Sequence, residues 1–347
     1  MNQHVRIADK IIGDGQPVFI SVEVGTTCNG DLDASLKLIE AASDAGADAI
    51  KFMIIGPEYF MSDRSVVYEY ECASGQRHEN MFEMFSGLTF TTKEWQTIAA
   101  HCRKCGIIFG ATVDYLPGVN LAVELQTEFL KLSSWDTANV PLIRKMAQAG
   151  KPLQIDTGPT TAGDIDKMLG WIRAEEMDDV ILVHCSHAKE ASGVNVRSVP
   201  YMKNVFACPV GYSADDRDQV ADLAAVSLGA NLIEKRMTLD RTHEGHHHIK
   251  ALEPDEFADW VKTIRRCEAM LGDNAIKPSA EDLRQKEMYF VSVVANTDIA
   301  AGTTINEKML ACKRPGTGIA PELLPQIVGR QAKRDIAENE LLTWSDV

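Results

Sequence analysis

Two lysines, Lys51 in AIKFM and Lys131 in FLKLS, stand inside runs that are otherwise apolar. An ammonium in such a place is costly unless a carboxylate or an anionic ligand meets it. Other polar side chains close similar runs: Glu23 after FISV, Asp156 after PLQI, His184 after VILV, Ser213 and Asp215 after VGY, and Glu234, Lys235 and Arg236 after LI. Ser134 and Asp136 follow closely on Lys131. Cations beside carboxylates and hydroxyls suit the capture of a carboxylate or phosphate, and the carboxylates can move protons or position water. A set of internal salt bridges, with Lys51 and Lys131 neutralised by Glu23, Asp136, Asp156 and Glu234, accounts for the same residues without a ligand.

The runs that carry these residues alternate with helical segments. Val18–Val24, Ala49–Met53, Ile107–Ala111, Phe129–Leu132, Pro152–Ile155, Val180–His184, Phe206–Tyr212 and Leu232–Lys235 predict eight strands. Between them, Leu32, Leu36, Ile39 and Ala42 share one face of a predicted helix, as do Val220, Leu223, Ala224 and Leu228 of another. Eight strand–helix units in series predict an α/β fold, a closed (β/α)8 TIM barrel. An open doubly wound sheet has a similar alternation, but no G-x-G-x-x-G turn follows the first strand. The strand C-termini of a barrel form its chemical face, which would gather the polar residues above in one mouth.

Two stretches interrupt the repeat. Residues 54–91, with Tyr59, Phe60, Met61, Phe82, Met84 and Phe85, form an insertion after the second strand, suited to a lid over the mouth or to a patch against a partner subunit. Val5–Gly15, ending in Gly-Asp-Gly, predicts a hairpin closing the bottom of the barrel. The polar segment Asp273–Lys286 is expected to be a linker. It divides a barrel domain over residues 1–275, with the linker itself at 276–285, from a small domain over residues 286–347. The small domain is expected to have strands at Tyr289–Ala295 and Leu310–Lys313, a short helix or turn, and a final strand.

The chain of 347 residues carries a formal charge of −15, and from Arg284 onward eight Lys/Arg balance eight Asp/Glu, so the excess lies in residues 1–283. Such a field disfavours nucleic acid, and any anionic ligand must be caught by local cations. No apolar run is long enough to span a bilayer and MNQHVRIADK lacks a signal-peptide core, so a cytoplasmic protein without a membrane partner is expected. The eight cysteines have no repeating spacing and are expected to be reduced, Cys102 and Cys105 being structural rather than a zinc or redox pair.

The motifs in their order resemble the sialic acid synthase family. PVFISVEVGTTCNG with AGADAIKF is similar to its opening AEIG-x-NHNG and AGADAVKFQ, KLSSWDTANVPLI to KI-x-S-x-(D/E)-x-x-N-x-PLI, GKPLQIDTG to GKP-x-ILSTG, and ILVHCSH to ILLHC-x-S. VGYSADD and LIEKRMTLD resemble VGYSDH and IEKHFTLD, while CKRPGTGIAP and VGRQAKRDI resemble the antifreeze-like, or SAF, domain. The resemblance implies condensation of phosphoenolpyruvate with the open-chain aldehyde of an acylated amino sugar to a 2-keto-3-deoxy sugar acid, with release of phosphate, in polysaccharide biosynthesis. It implies that Lys51, Lys131, Ser134 and Ser213 hold phosphoenolpyruvate, that Glu23, Asp136 and Glu234 are catalytic, and that Asn195 contacts the sugar. It also implies a domain-swapped homodimer in which Arg314 reaches the neighbouring barrel.

Several positions depart from that pattern. The family's two metal-binding histidines fall on Asp215 and Arg236, so no divalent metal is expected there; a salt bridge between them would put a fixed guanidinium in its place. The run His246–His248 offers a relocated metal site as an alternative. Asp156 and Ala111 replace serines, Met53 replaces a glutamine, and His187-Ala188-Lys189-Glu190 replaces Tyr-Pro-Thr-Pro. A carbon–carbon lyase or aldolase acting on another keto acid, and a non-catalytic sugar-phosphate-binding homologue, are the competing readings.

Overall fold

The computed structural model describes residues 1–347, which divide by internal contacts into two units, Met1–Gly272 and Asp273–Val347. The first begins with an antiparallel hairpin, β1 (His4–Ile7) and β2 (Lys10–Gly13). Then follow β3 (Phe19–Glu23), β4 (Ala49–Ile54), the hairpin β5 (Val67–Cys72) and β6 (Gly75–Asn80), β7 (Ile108–Val113) and β8 (Phe129–Leu132). β9 (Leu153–Asp156), β10 (Val180–Ser186), β11 (Val210–Ala214) and β12 (Leu232–Arg236) complete the unit. β3, β4 and β7 to β12 form a closed barrel of eight parallel strands in chain order, as the alternating runs predict.

Side chains alternate between the barrel interior and the helices around it. Phe19, Ala49, Ile108, Phe129, Ile181, Val183 and Leu232 form one buried apolar cluster with Val5, Ile7 and Ile12, so the first hairpin plugs the barrel below this layer. Gly110 leaves room for the layer: a Cβ there would lie 2.1 Å from the Phe129 ring. The outward residues Ile20, Val22, Ile50, Phe52, Leu130 and Ile155 pack against the helices. One helix, Thr92–Cys105, shows how these are bounded. Thr91 and Glu94 form a capping box at its start, and Gly106 adopts φ 70° at its end. Cys102 is buried on this helix and Cys105 half-buried, and all eight cysteines are free.

Some boundaries differ from expectation for local reasons. Val199, Met202 and Phe206 make a buried helical stripe, so the helix Ser198–Phe206 takes the residues expected to open the seventh strand, which starts instead at Val210. In the insertion, Tyr68 and Tyr70 of β5 stack on each other and meet the His246 ring edge-on, so the hairpin docks on the loop after β12. The expected linker is partly helical. Ser279 and Asp282 form a capping box, and Ala280–Tyr289 is a helix with no buried residue. In the second unit β13 (Ser292–Ala295) pairs with β14 (Leu310–Lys313), and Val293, Ile299, Ile305, Ile327 and Leu342 share its core. The expected final strand is reduced to isolated bridges such as Val294 with Leu341.

The outward face of β12 carries a buried ion network. Lys235 donates to Asp222 at 2.9 Å, to Asp216 at 3.1 Å and to the Asp218 carbonyl at 2.7 Å, and Trp260 Nε1 donates to Asp222 at 2.8 Å. Lys235 thus points away from the mouth and ties two helices to the barrel. Asp222→Ala is expected to destabilise the barrel by about 3–5 kcal/mol in denaturant unfolding, since it strands a buried cation. A loss below about 1 kcal/mol would mean that Asp216 and the Asp218 carbonyl suffice to neutralise Lys235.

Candidate active site

Above the apolar layer the inward positions turn polar, and parallel register sets them side by side. Glu23 lies beside Lys51, Lys131 between Thr112 and Gln154, Ser213 beside Glu234, and Arg236 beside Glu23. Lys51 is fully buried, paired with Glu23, and donates to Thr112 Oγ1 at 2.9 Å. Lys131 is paired with Glu234 and lies 2.8 Å from Asp156. Glu234 is the hub: beyond Lys131 it accepts from Gln154 Nε2 at 2.8 Å and Ser213 Oγ at 3.4 Å, and lies 3.9 Å from Lys51.

These contacts set the protonation states. Burial alone would raise the Glu234 carboxyl, but Lys131 and Lys51 overcome it and bring it down to about 2. Burial pushes the Lys51 ammonium down to about 7 against the pull of Glu234. Burial raises the Asp156 carboxyl despite Lys131. The two lysines predicted to bind an anion are therefore both paired with carboxylates, so the internal-salt-bridge reading describes the observed contacts. Several polar atoms of the mouth nevertheless lack partners: Ser134 Oγ, Gln154 Oε1, Asp156 Oδ1 and Asp114 Oδ1. Buried polar atoms are rarely left so, and their convergence marks a place built to receive polar groups. Ser134 reaches it because residue 158 is glycine; a Cβ there would lie 2.4 Å from the Ser134 Cβ.

On the β11 and β12 side, Asp215 and Arg236 approach through Arg236 Nε and Asp215 Oδ1 at 3.4 Å, yet neither atom has a hydrogen-bond partner. The expected salt bridge is thus a single loose contact, because Asp215 is also drawn to Lys250 at 2.7 Å and stands 3.8 Å from His247. Burial works against the Asp215 carboxylate, but Arg236, His247 and Lys250 hold it well below the usual range. The three histidines do not converge. His246 Nε2 bonds the Tyr68 hydroxyl at 2.7 Å, His247 Nδ1 bonds Thr26 Oγ1 at 3.0 Å, and His248 is held by Thr238 and Asn29. Burial, then Arg236, pushes His246 down to about 3, and burial brings His248 to about 4. The three imidazoles are each engaged in separate local bonds, so the alternative of a relocated metal site finds no common point among them.

The remaining expected residues lie outside this network. Asp136 is half-buried and accepts from Asn139 in its own loop. Asn195 caps a short helix at φ 47° and donates to Ser198 Oγ at 3.0 Å. His184 holds that turn to the end of β10 by bonding the Val194 carbonyl at 2.7 Å. Arg314 is exposed in the second unit, where its Nε donates to the Tyr289 carbonyl at 2.8 Å. Three residues absent from the expected set do belong to the mouth: Thr112, Gln154 and Asp114. The alternation of β7 and β9 could have found the first two. Asp114, one residue beyond β7, could have been found by its place at a strand end.

Residues 38–276 match the NeuB family and residues 290–347 the SAF domain. The chain belongs to the NeuB family. It is 32% identical to N,N'-diacetyllegionaminic acid synthase of Campylobacter jejuni, over 93% of this chain and 98% of that protein. The crystal structure of N-acetylneuraminic acid synthetase from Leptospira borgpetersenii is similar with a TM-score of 0.73 and 28% identity, over 82% of this chain and 95% of the other. That of the spore coat polysaccharide biosynthesis protein of Bacillus subtilis is similar with a TM-score of 0.68 and 27% identity, over 99% of both. Other relatives are N-acetylneuraminate-9-phosphate synthase of Mus musculus, 28% identical over 97% of this chain and 94% of that protein, and pseudaminic acid synthase of Campylobacter jejuni, 27% identical over 95% of this chain and 96% of that protein. The divalent metal implied by the resemblance does not fit the residues present. A guanidinium offers no lone pair to a metal, and one carboxylate already shared by Arg236 and Lys250 is a poor remaining ligand.

Asp114 supplies a test of the electrostatics. Burial, with the nearby Asp136 second, pushes its carboxyl up to about 7. Its folded-state value lies above its unfolded one, so its contribution to stability is full below about pH 4 and is lost as pH rises through about 7. Asp114→Asn is expected to flatten part of the decline in urea midpoint between about pH 4 and pH 8. Parallel profiles for the two proteins would show that Asp114 ionises normally in the fold.

Proposed function

We propose that the chain is a synthase that condenses phosphoenolpyruvate with the open-chain aldehyde of an acylated amino sugar, giving a 2-keto-3-deoxy sugar acid and phosphate. The observation that carries this reading is the pair of buried ammonium groups, Lys51 and Lys131, at inward positions of a barrel mouth where hydroxyl, amide and carboxylate oxygens remain unpartnered. An enol phosphate brings both a carboxylate and a phosphate, and two cations with the Ser134 and Ser213 hydroxyls match that demand. Glu234, an ionised acceptor close to both lysines, and Glu23, paired with Lys51, are suited to positioning the water that adds at C2. Asp136 and Asn195, in loops of the same face, serve the sugar. A homodimer that exchanges small domains, with Arg314 acting on the second copy, belongs to the same proposal.

Asp156 favours a second reading. It places a carboxylate 2.8 Å from Lys131, where a phosphate would want that charge unshared. A keto acid without phosphate, joined or cleaved by an aldolase-type reaction, requires less positive charge from the mouth. The two readings separate on one variant. If phosphoenolpyruvate is the donor, the chain releases phosphate from it with at least one of a panel of N-acylhexosamines, and Asp156→Ser tightens phosphoenolpyruvate binding in calorimetry by roughly tenfold, the size of one relieved like-charge contact in a partly polar site. Absence of phosphate release with every sugar, together with pyruvate binding that Asp156→Ser leaves unchanged, would favour the aldolase-type reading.

The lysine variants carry a further expectation. Lys131→Met leaves Asp156 and Glu234 without their shared cation and is expected to cost about 3–5 kcal/mol in unfolding as well as ligand affinity. The double variant Lys131→Met with Asp156→Ser should recover part of that stability and none of the affinity. Full phosphoenolpyruvate affinity in the double variant would remove Lys131 from the donor site.

A further inference from the structure

Arg236 is an unusual cation for its surroundings. Its side chain is only 17% exposed, yet its one hydrogen bond is from Nη1 to Thr26 Oγ1 at 3.4 Å, and its Nε has no partner. A guanidinium has five N–H donors, so most of its donor capacity is uncommitted. Its charge is also incompletely met. Asp215, the carboxylate facing it at 3.4 Å, lies closer to Lys250, at 2.7 Å, so one anion serves two permanent cations. The imidazoles of His246 and His247 beside it are neutral, and the neighbouring Glu23 is taken by Lys51. Tyr68, from the inserted hairpin, bonds His246 and covers this side of the mouth. The arrangement is a largely buried guanidinium with a surplus positive charge and free donors on a side chain that cannot lose its proton.

We infer that Arg236 binds the carbonyl oxygen of the acceptor and holds it as it becomes an alkoxide, so that turnover needs no divalent metal. The inference rests on the proposed condensation and assigns one residue's role within it. In that reaction C3 of phosphoenolpyruvate bonds to the carbonyl carbon and the carbonyl π pair moves onto oxygen, where the guanidinium N–H groups receive it. Water adds at C2 and gives up one proton, the alkoxide gains one, and as the C2–O bond to phosphate breaks the C2 hydroxyl passes its proton to the departing phosphate, leaving the 2-keto acid. Asp215 and Thr26 are positioning residues: they orient the guanidinium while Thr26 engages only one of its five donors.

The test uses the full chain, Arg236→Met, Arg236→Lys and Asp215→Asn, with phosphate release measured in EDTA and in excess Mn2+. Rates equal within a factor of about two in the two media are expected, with a loss in kcat of roughly 100-fold or more in Arg236→Met, the effect of removing an oxyanion donor. The KM for phosphoenolpyruvate should stay within about threefold and Arg236→Lys should fall between, a split that a merely structural residue would not produce. Loss of turnover in EDTA that Mn2+ restores would overturn the inference, as would calorimetric Mn2+ binding that Asp215→Asn abolishes. If no acceptor turns over, the proposed condensation fails, and Arg236 is then judged by binding alone. Arg236→Met must weaken N-acylhexosamine binding at least about tenfold with phosphoenolpyruvate affinity unaltered; equal hexosamine affinity in wild type and variant overturns the assignment.

Discussion

Charge balance inside a closed barrel is the constraint on which the rest of this structure depends. Lys51, Lys131, Glu23, Asp156 and Glu234 are all buried, and no one of them could be kept ionised there alone. Glu234 makes the set tolerable, because parallel register brings it within reach of both lysines, Gln154 and Ser213. The polar layer is therefore a property of eight strands in one register. A shift of a strand by one residue would send its charged side chain into the helices and strand the partner it left.

The same alternation gives three successive residues of β12 three different duties. Glu234 faces inward and organises the polar layer, and Lys235 faces outward and anchors Asp222 and Trp260 between helices. Arg236 faces inward again at the rim, where its partner Asp215 is divided between two cations. Local composition cannot separate these duties, since all three are charged residues in one run. The pleat separates them, and it also explains why the best-satisfied cation of the three residues is the one facing away from the mouth.

Much of the architecture was legible in the chain because it depends on periodicity. Eight apolar runs with helical stripes between them predict the barrel, and the strand-end rule gathers Glu23, Lys51, Lys131, Ser134, Asp156, Ser213 and Glu234 where the structure places them. Thr112 escaped because its strand was expected to end at Ala111, and Gln154 because an uncharged side chain draws no notice although alternation sets it on the face of Asp156. Asp114 escaped with Thr112, since a strand taken to end at Ala111 leaves its true end at Val113, and the carboxylate beside it, unmarked. The pairings were less legible still. Nothing in the order of residues says that Lys250 competes for Asp215, or that the three adjacent histidines point to Tyr68, Thr26 and Thr238, since those contacts depend on how loops close. The helix Ala280–Tyr289 was hidden by its polarity, for it buries nothing and is held by its cap and its helix-forming residues.

The departures from the family pattern fall outside the apolar layer that closes the barrel. The barrel is closed below by an apolar layer and a hairpin plug that contain none of Asp156, Asp215 or Arg236. Side chains at the rim can therefore change charge without disturbing the contacts that close the barrel, which is how one barrel supports different chemistry at its C-terminal face. The changes are not independent of one another, however. A carboxylate at residue 156 takes up positive charge from Lys131, and an arginine at residue 236 introduces positive charge on the opposite side of Glu234. Positive charge is thus drawn down beside Lys131, where the resemblance places phosphoenolpyruvate, and fixed at residue 236, where it places a metal ligand. A mouth altered in that direction offers a multiply charged anion less unshared charge beside Lys131 and leaves a fixed guanidinium at the rim, so its two sides differ in the charge they can neutralise.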